Sequence, residues 1–227
     1  MKVGDVLTVD PSNPRPVARA ASAATRALRA GGLVVMPTET VYGIACRPDD
    51  PAATARLFDA KRRPRGLNLP VLTATADEAL ELADAPEEAA VLAAEFWPGP
   101  LTMVLPRSAA SMTWEIGDER ETIGVRVPGL SLTRAVLQEA GPLGVTSANR
   151  SGEPPAQDRD ALVDAFGDAV SVYLVTGGRL EGSPSTVVDL THLPRARILR
   201  RGGVPREMID RSLKLSGRSV QWVDSPA

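Results

Sequence analysis

One cysteine and one histidine are all this chain has of the residues that most often hold metals or act as nucleophile and base. Cys46 has no partner for an internal disulfide and is too few for a cysteine-built zinc site. His192 alone excludes most histidine-built metal centres. Aromatic residues make up 4%, too few for an extended base-stacking platform. Neither charge sign dominates: 26 basic residues face 28 acidic ones, a net charge of −2, so no global field attracts nucleic acid or membrane. No apolar run is long enough to span a bilayer, and the opening MKVGDVLTVDPSNPRP has no hydrophobic signal core. The expectation is a soluble, cytoplasmic protein without membrane contact.

What is present is ordinary globular composition, 43% hydrophobic and 24% charged. At 227 residues the chain suits one domain with small appendages, and folding such a chain buries roughly 70% of its surface. Residues 1–16, short and proline-punctuated, read as an edge strand or arm; by domain, 1–17 are an N-terminal arm, 18–206 the working domain and 207–227 a C-terminal tail. Ala18–Ala30, alanine-rich and closed by Gly31-Gly32, predicts a helix. Asp50-Pro51 opens a second and Thr75-x-x-Glu78 a third, by a capping box. Further helices are expected over Pro86–Phe96, Ser131–Ala140 and Asp158–Phe166, and a short one after Pro205. Strands are expected at Leu33–Met36, Leu69–Thr73, Leu101–Leu105, Thr122–Val127, Leu143–Ser147, Val170–Val175, Ser185–Leu190 and Arg197–Arg200. This alternation, with some strands consecutive, predicts an α/β fold on a mixed sheet.

Several stretches carry chemistry. Lys61-Arg62-Arg63-Pro64-Arg65 would bind polyphosphate or carboxylate, although helix ends favour cations in any case. In Thr122–Val127 the apolar Ile123, Val125 and Val127 share one face; Thr122, Gly124 and Arg126 share the other, where an anion could approach closely. Ser147-Ala148-Asn149 follows a strand end, where α/β sheets commonly bind ligands, and is also plain turn chemistry. The glycine-rich run from Gly177 to Thr186 matches neither phosphate-loop nor dinucleotide fingerprints and reads equally as a long turn. Arg195, Arg197, Arg200, Arg201 and Arg206 form a second basic stretch, suited to phosphates or to solvent. Glu39 and Asp189 are the acids to watch near a metal-bound phosphate; neither is assigned as a ligand, and no metal-ligating residue is assigned.

In chain order PTETVYG (37–43), KRRP (61–64), FWPGPLT (96–102), VRVP (125–128), SANRSGEP (147–154), STVVD (185–189) and LRRG (199–202) form one series. Each motif is weak alone, but the ordered set over about 18–206 resembles the YrdC-domain threonylcarbamoyl-AMP synthase family in its single-domain bacterial form. The resemblance implies a twisted mixed β-sheet around a concave cavity, with helices outside. It implies an L-threonylcarbamoyladenylate synthase. Threonine and bicarbonate or CO2 give a carbamate, which attacks the α-phosphate of ATP. Threonylcarbamoyl-AMP and pyrophosphate result, and the group passes to adenosine 37 of tRNA through downstream threonylcarbamoyl transferase proteins. A carbamate is already an anionic nucleophile, so positioning and cations should carry most of the catalysis.

Residue by residue, the resemblance makes Thr40, Arg126, Val145 (through its backbone) and Ser185 threonine contacts. Lys61 and Arg63 become catalytic triphosphate contacts. Thr122, Ser147, Asn149 and Arg200 become nucleotide contacts, with Pro155 beside them, and Mg2+ accompanies ATP. One departure stands out: Leu67 occupies a position where many members carry a polar residue that helps hold the nucleotide. Leu72 stands where some carry a histidine near threonine. The competing readings are a YrdC-like RNA-binding module without catalysis and a related carbamoyl-adenylating enzyme. Lys61-Arg62-Arg63 and Ser147-Ala148-Asn149 favour an enzyme, and RNA binding by the isolated chain is expected to be weak.

Overall fold

The structure is a computed structural model, described here for residues 4–180 and 182–223. Eleven strands join in one mixed sheet: β1 (Asp5–Thr8), β2 (Val34–Met36), β3 (Gly43–Cys46), β4 (Val71–Leu72), β5 (Leu101–Pro106), β6 (Thr122–Arg126), β7 (Leu143–Ser147), β8 (Val172–Val175), β9 (Thr186–His192), β10 (Arg195–Arg200) and β11 (Gln221–Trp222). Their spatial order is β1-β8-β2-β3-β7-β4-β6-β5-β9-β10-β11. The central strands alternate direction: β2/β3, β3/β7, β4/β7 and β5/β6 are antiparallel, whereas β4/β6 and β5/β9 are parallel. The mixed α/β sheet expected from the alternation of elements is therefore present.

Among the described residues seven α-helices cover the sheet: α1 (Pro14–Arg29), α2 (Pro51–Lys61), α3 (Ala76–Glu81), α4 (Glu87–Phe96), α5 (Ser131–Ala140), α6 (Arg159–Phe166) and α7 (Arg206–Leu215). One apolar cluster joins α1 and α5 to strands through Ala24, Leu28, Met36, Val136, Leu143 and Leu174. A larger one joins α2, α4, α6 and α7 to the sheet through Leu57, Leu92, Leu162, Ile209, Ile44, Met103 and Val125. Local signals act as the sequence suggests. Asp50 accepts from the amides of Ala52 and Ala53, and Thr75 and Glu78 form the reciprocal capping box.

At the start of the chain the edge-strand reading holds, since Asp5–Thr8 pair in parallel with Val172–Val175 at the edge of the sheet, whereas α1 begins at Pro14 under an Asn13 cap rather than at Ala18. Proline at the first helical position lacks only an amide that has no helical partner there, so Pro14 starts the helix. In the segment read as a tail, α7 packs on α4, and Gln221–Trp222 pair with Arg195–Ala196. Residues 1–3, Glu181 of the glycine-rich run and 224–227 of the tail lie outside the described residues. Among the described residues no helix is long and apolar enough to cross a membrane.

Candidate active site

The centre of the sheet, together with the loops that leave it, walls a cavity of about 270 Å³. Thr40, Arg126, Val145, Ser147, Asn149, Pro155, Ser185 and Arg200 all line it. These residues are far apart in sequence, and the strand order brings them together. Thr122, Lys61 and Arg63 are not part of the lining. The alternation in β6 holds: Ile123 and Val125 are fully buried in the main apolar core, while Arg126 lies on the cavity side. Gly43 on β3 permits a close approach, because a Cβ there would stand 2.7 Å from a Val145 methyl.

Arg126 organises one end. Nε donates to the carbonyl of Gly99 at 3.0 Å, so the WPGP turn after α4 supplies a backbone anchor. Nη2 donates to Glu39 Oε1 at 2.6 Å, and both terminal nitrogens reach Thr40 Oγ1 at 3.3 Å. Thr38 Oγ1 donates to the Val41 carbonyl at 2.6 Å, accepts from the Val41 amide and lies 2.7 Å from Thr40 Oγ1. With the Thr38 proton used, the Thr40 hydroxyl donates to Thr38 and keeps its lone pairs for Arg126. Across the cavity, Ser185 Oγ accepts from Arg200 Nη2 at 2.8 Å and lies 2.9 Å from Thr102 Oγ1. This end is a buried arginine with its counter-charge and a ring of hydroxyls.

The other side, Arg200 in the lining with Arg63 and Lys61 beyond it, is cationic and forms no ion pair among the described residues, although Glu153 also lines the cavity. Arg200 Nε also donates to the Ser185 carbonyl at 3.0 Å. Arg63 is held by the carbonyls of Leu67 (2.9 Å) and Asn68 (3.0 Å). Arg62 makes this possible by closing α2 in the left-handed region (φ 51°, ψ 40°), a conformation uncommon outside glycine, which reverses the chain. Lys61, 1% exposed, points its ammonium to the carbonyls of Ser147 and Asn149. Burial, with Arg63 adding to it, pushes the Lys61 pKa down to about 8. Burial and then Arg200 lower the pKa of Arg63; burial and then Arg126 lower that of Arg200. Arg126, Arg200, Arg63 and Lys61 are thus a row in which each cation feels the next. Among the described residues only Arg126 of the four has an acid within ion-pair distance.

Some expectations resolve differently. Thr122 begins β6 outside the lining, and its carbonyl accepts from the Asn68 side chain at 3.3 Å. Asn68 turns toward the Glu119 carbonyl at 2.8 Å, so it braces the neighbouring loop. Leu67 is 53% exposed. Glu39 answers Arg126, while Asp189 turns back to the amide and hydroxyl of Thr191. His192 closes β9 at the exposed surface, and Cys46 is buried. Thr102 and Thr38 were not singled out from the sequence. Thr102 was findable by alternation, a hydroxyl between the inward Leu101 and Met103 of β5. Thr38 was not, because its role depends on a turn.

The Sua5/YciO/YrdC family model, described as telomere recombination, matches residues 26–202, so the chain belongs to this family. A relative from Mycobacterium tuberculosis is 38% identical over 214 residues, covering 94% of this chain and 98% of its own. The threonylcarbamoyl-AMP synthase of Alkalilimnicola ehrlichii is 41% identical over 184 residues, covering 79% of this chain and 95% of its own. Among solved structures, P. abyssi Sua5 complexed with L-threonine superposes with a TM-score of 0.79 at 32% identity, over 100% of this chain and 67% of that one. E. coli YciO gives 0.79 at 26% identity, over 90% of this chain and 98% of its own.

Proposed function

We propose that this chain is an L-threonylcarbamoyladenylate synthase: L-threonine, bicarbonate or CO2 and ATP give threonylcarbamoyl-AMP and pyrophosphate. The observation that carries the reading is the asymmetry of the cavity among the described residues, a neutralised arginine among hydroxyls at one end and cations without an ion pair at the other. The first suits an amino acid, with Arg126 offering its one open N–H to the carboxylate and Thr40, Ser185 and the Val145 backbone around it. The second suits a triphosphate, with Arg63, Arg200 and the remaining N–H of Lys61. Ser147, Asn149 and Pro155 then border the nucleotide, and Thr122 stands behind them. The relatives that carry the synthase name support this reading.

The chemistry follows from the charges. A carbamate oxygen of N-carboxythreonine attacks the α-phosphorus, an O–P bond forms, and the bond to the β-phosphate oxygen breaks, so pyrophosphate leaves with its electron pair. The nucleophile is already anionic. What the chain supplies is alignment of two anions and stabilisation of the charge that gathers on the leaving group. Magnesium enters with the triphosphate as part of the substrate. Among the described residues no three acids, histidines or cysteines cluster as a resident cage. The product then goes to downstream transferase proteins that modify tRNA. Direct RNA binding is weak in this reading, because Arg63 and Arg200 are engaged at the cavity rather than free to track a backbone.

The test is pyrophosphate release from ATP with threonine and bicarbonate each omitted in turn. Release should require both, together with magnesium. Equal release without threonine would show that the cavity does not serve this reaction.

A further inference from the structure

Glu39 is the acid that meets the row of cations, and it meets only one of them. Its Oε1 lies 2.6 Å from Arg126 Nη2. Its Oε2 is buried without a hydrogen-bond partner. The carboxyl carbon lies over Gly129, where a Cβ would stand 3.4 Å from it in ordinary van der Waals contact. Glu39 is not among the residues lining the cavity, whereas Arg126 and Thr40, its neighbours, are. It therefore reaches the cavity only through the guanidinium it touches.

We infer that Glu39 is a specificity-determining residue that keeps phosphate groups out of the amino-acid end. The inference rests on the reading that Arg126 takes the threonine carboxylate. Paired with Glu39, Arg126 presents a hydrogen-bond donor with almost no net charge. A monocarboxylate still gains the one Arg126 N–H that Gly99, Glu39 and Thr40 leave open, a charge-assisted bond. A phosphate or pyrophosphate carries more negative charge, so Glu39 repels it more, and the neutralised arginine returns no net attraction. Among the described residues no acid pairs with Arg200, Arg63 or Lys61; Glu153 lines the cavity on that side without an ion pair to any of them, and the polyanion is drawn there. Without Glu39 the whole row would be cationic, and a triphosphate or released pyrophosphate could sit one arginine out of place, over the threonine site. Glu39 is a positioning residue in this sense: it directs which anion Arg126 accepts and takes no part in bond making.

The test uses the full chain, L-threonine and inorganic pyrophosphate. Glu39→Gln keeps an oxygen for Arg126 Nη2 and removes the charge. In the wild type, calorimetric titration with threonine should be unaffected by pyrophosphate at concentrations that block ATP. In Glu39→Gln the threonine Kd without pyrophosphate should move less than threefold, and pyrophosphate should raise it tenfold or more. Glu39→Asp should keep the wild-type pattern. Pyrophosphate that leaves threonine binding untouched in Glu39→Gln overturns the inference. So does a tenfold loss of threonine binding without pyrophosphate, which would make Glu39 a mere support for Arg126. If the glutamine variant melts out, Glu39→Ala decides in the same way, by gain or no gain of pyrophosphate competition. Unchanged threonine binding in Arg126→Ala instead overturns the parent reading, and this inference with it.

Discussion

The two ends of the cavity use the same cation and hold it differently. Arg126 ends a central strand, 6% exposed, with a backbone carbonyl, an acid and a hydroxyl fixed around it. Arg63 sits in the loop after α2, held only by the carbonyls of Leu67 and Asn68. A strand-borne arginine with a counter-ion has one geometry and little net charge, which suits a small ligand recognised by shape. A loop-borne arginine with no acid has charge to give and room to adjust, which suits a triphosphate that changes shape as its bond breaks. If this contrast is real, variants at the two ends must fail in different ways.

Arg126→Ala should produce the largest effect. It removes the cation proposed to hold the carboxylate and strands the half-buried Glu39. Charge-assisted bonds of this kind contribute about 1.5–3 kcal/mol each, so the threonine KM should rise on the order of a hundredfold. The ATP KM should shift less than about threefold. Initial rates with each substrate varied at saturation of the other check this, and equal shifts in both would erase the distinction between the ends.

Arg63→Ala should come next, with the opposite signature. The ATP KM should rise, or kcat fall, about ten- to thirtyfold, corresponding to one charge-assisted contact. The threonine KM should stay within about twofold. The measurement is the same pair of titrations, and a dominant effect on threonine would sink the assignment of Arg63 to the phosphates.

How far the sequence shows this contrast can be judged residue by residue. Alternation in Thr122–Val127 was enough to put Arg126 on the open face, because side-chain direction in a strand is fixed by its period of two. The caps at Asp50 and Thr75 were equally local and equally legible. The residues that line the cavity were reached through the ordered motifs rather than through any single spacing. What stayed hidden depends on tertiary approach. Lys61 closes a helix whose last turn could as well have faced solvent, and only the packing of α2 beside the end of β7 turns its ammonium to the carbonyls of Ser147 and Asn149. Glu39 reads as a loop acid until β6 brings Arg126 to it across 87 positions. The edge strand β1 was one of two readings of the proline-punctuated start, but the start of α1 was set too late because proline reads as punctuation, whereas Pro14 is a helix opener here.

The cationic end also carries a pH dependence that the neutral end lacks. Lys61 titrates near 8 in the folded chain, below its ordinary value of 10.5, because burial disfavours the ammonium. Between those values the unfolded chain binds more protons, so this group's contribution to stability rises with pH in that window. If Lys61 holds the triphosphate as proposed, its contribution to that binding should move the other way, since the ammonium is lost as pH passes about 8. The ATP KM should therefore climb about fivefold from pH 7.5 to 9 while the threonine KM stays flat and Lys61 causes no loss of melting temperature. Lys61→Arg should abolish the slope. A threonine KM that climbs in parallel would place the titrating group at the wrong end.

The smallest effect should come from Leu67, where the chain departs from the polar residue many family members carry. Its side chain is 53% exposed, and it is the Leu67 backbone carbonyl, at 2.9 Å, that accepts from Arg63 Nε. Any residue except proline that keeps the loop backbone in place supplies the same carbonyl. The Asn68 carbonyl holds the other arm of Arg63, and the Asn68 side chain is already committed to the Glu119 carbonyl. Leu67→Asn should therefore change the ATP KM by less than about twofold and leave threonine untouched, with the melting temperature within about a degree, as for most exposed substitutions. An improvement of tenfold in ATP affinity would show that a polar side chain at this position reaches the nucleotide. The loop would then adjust further than its two carbonyl contacts suggest, and the contrast between a fixed and an adjustable arginine would sharpen.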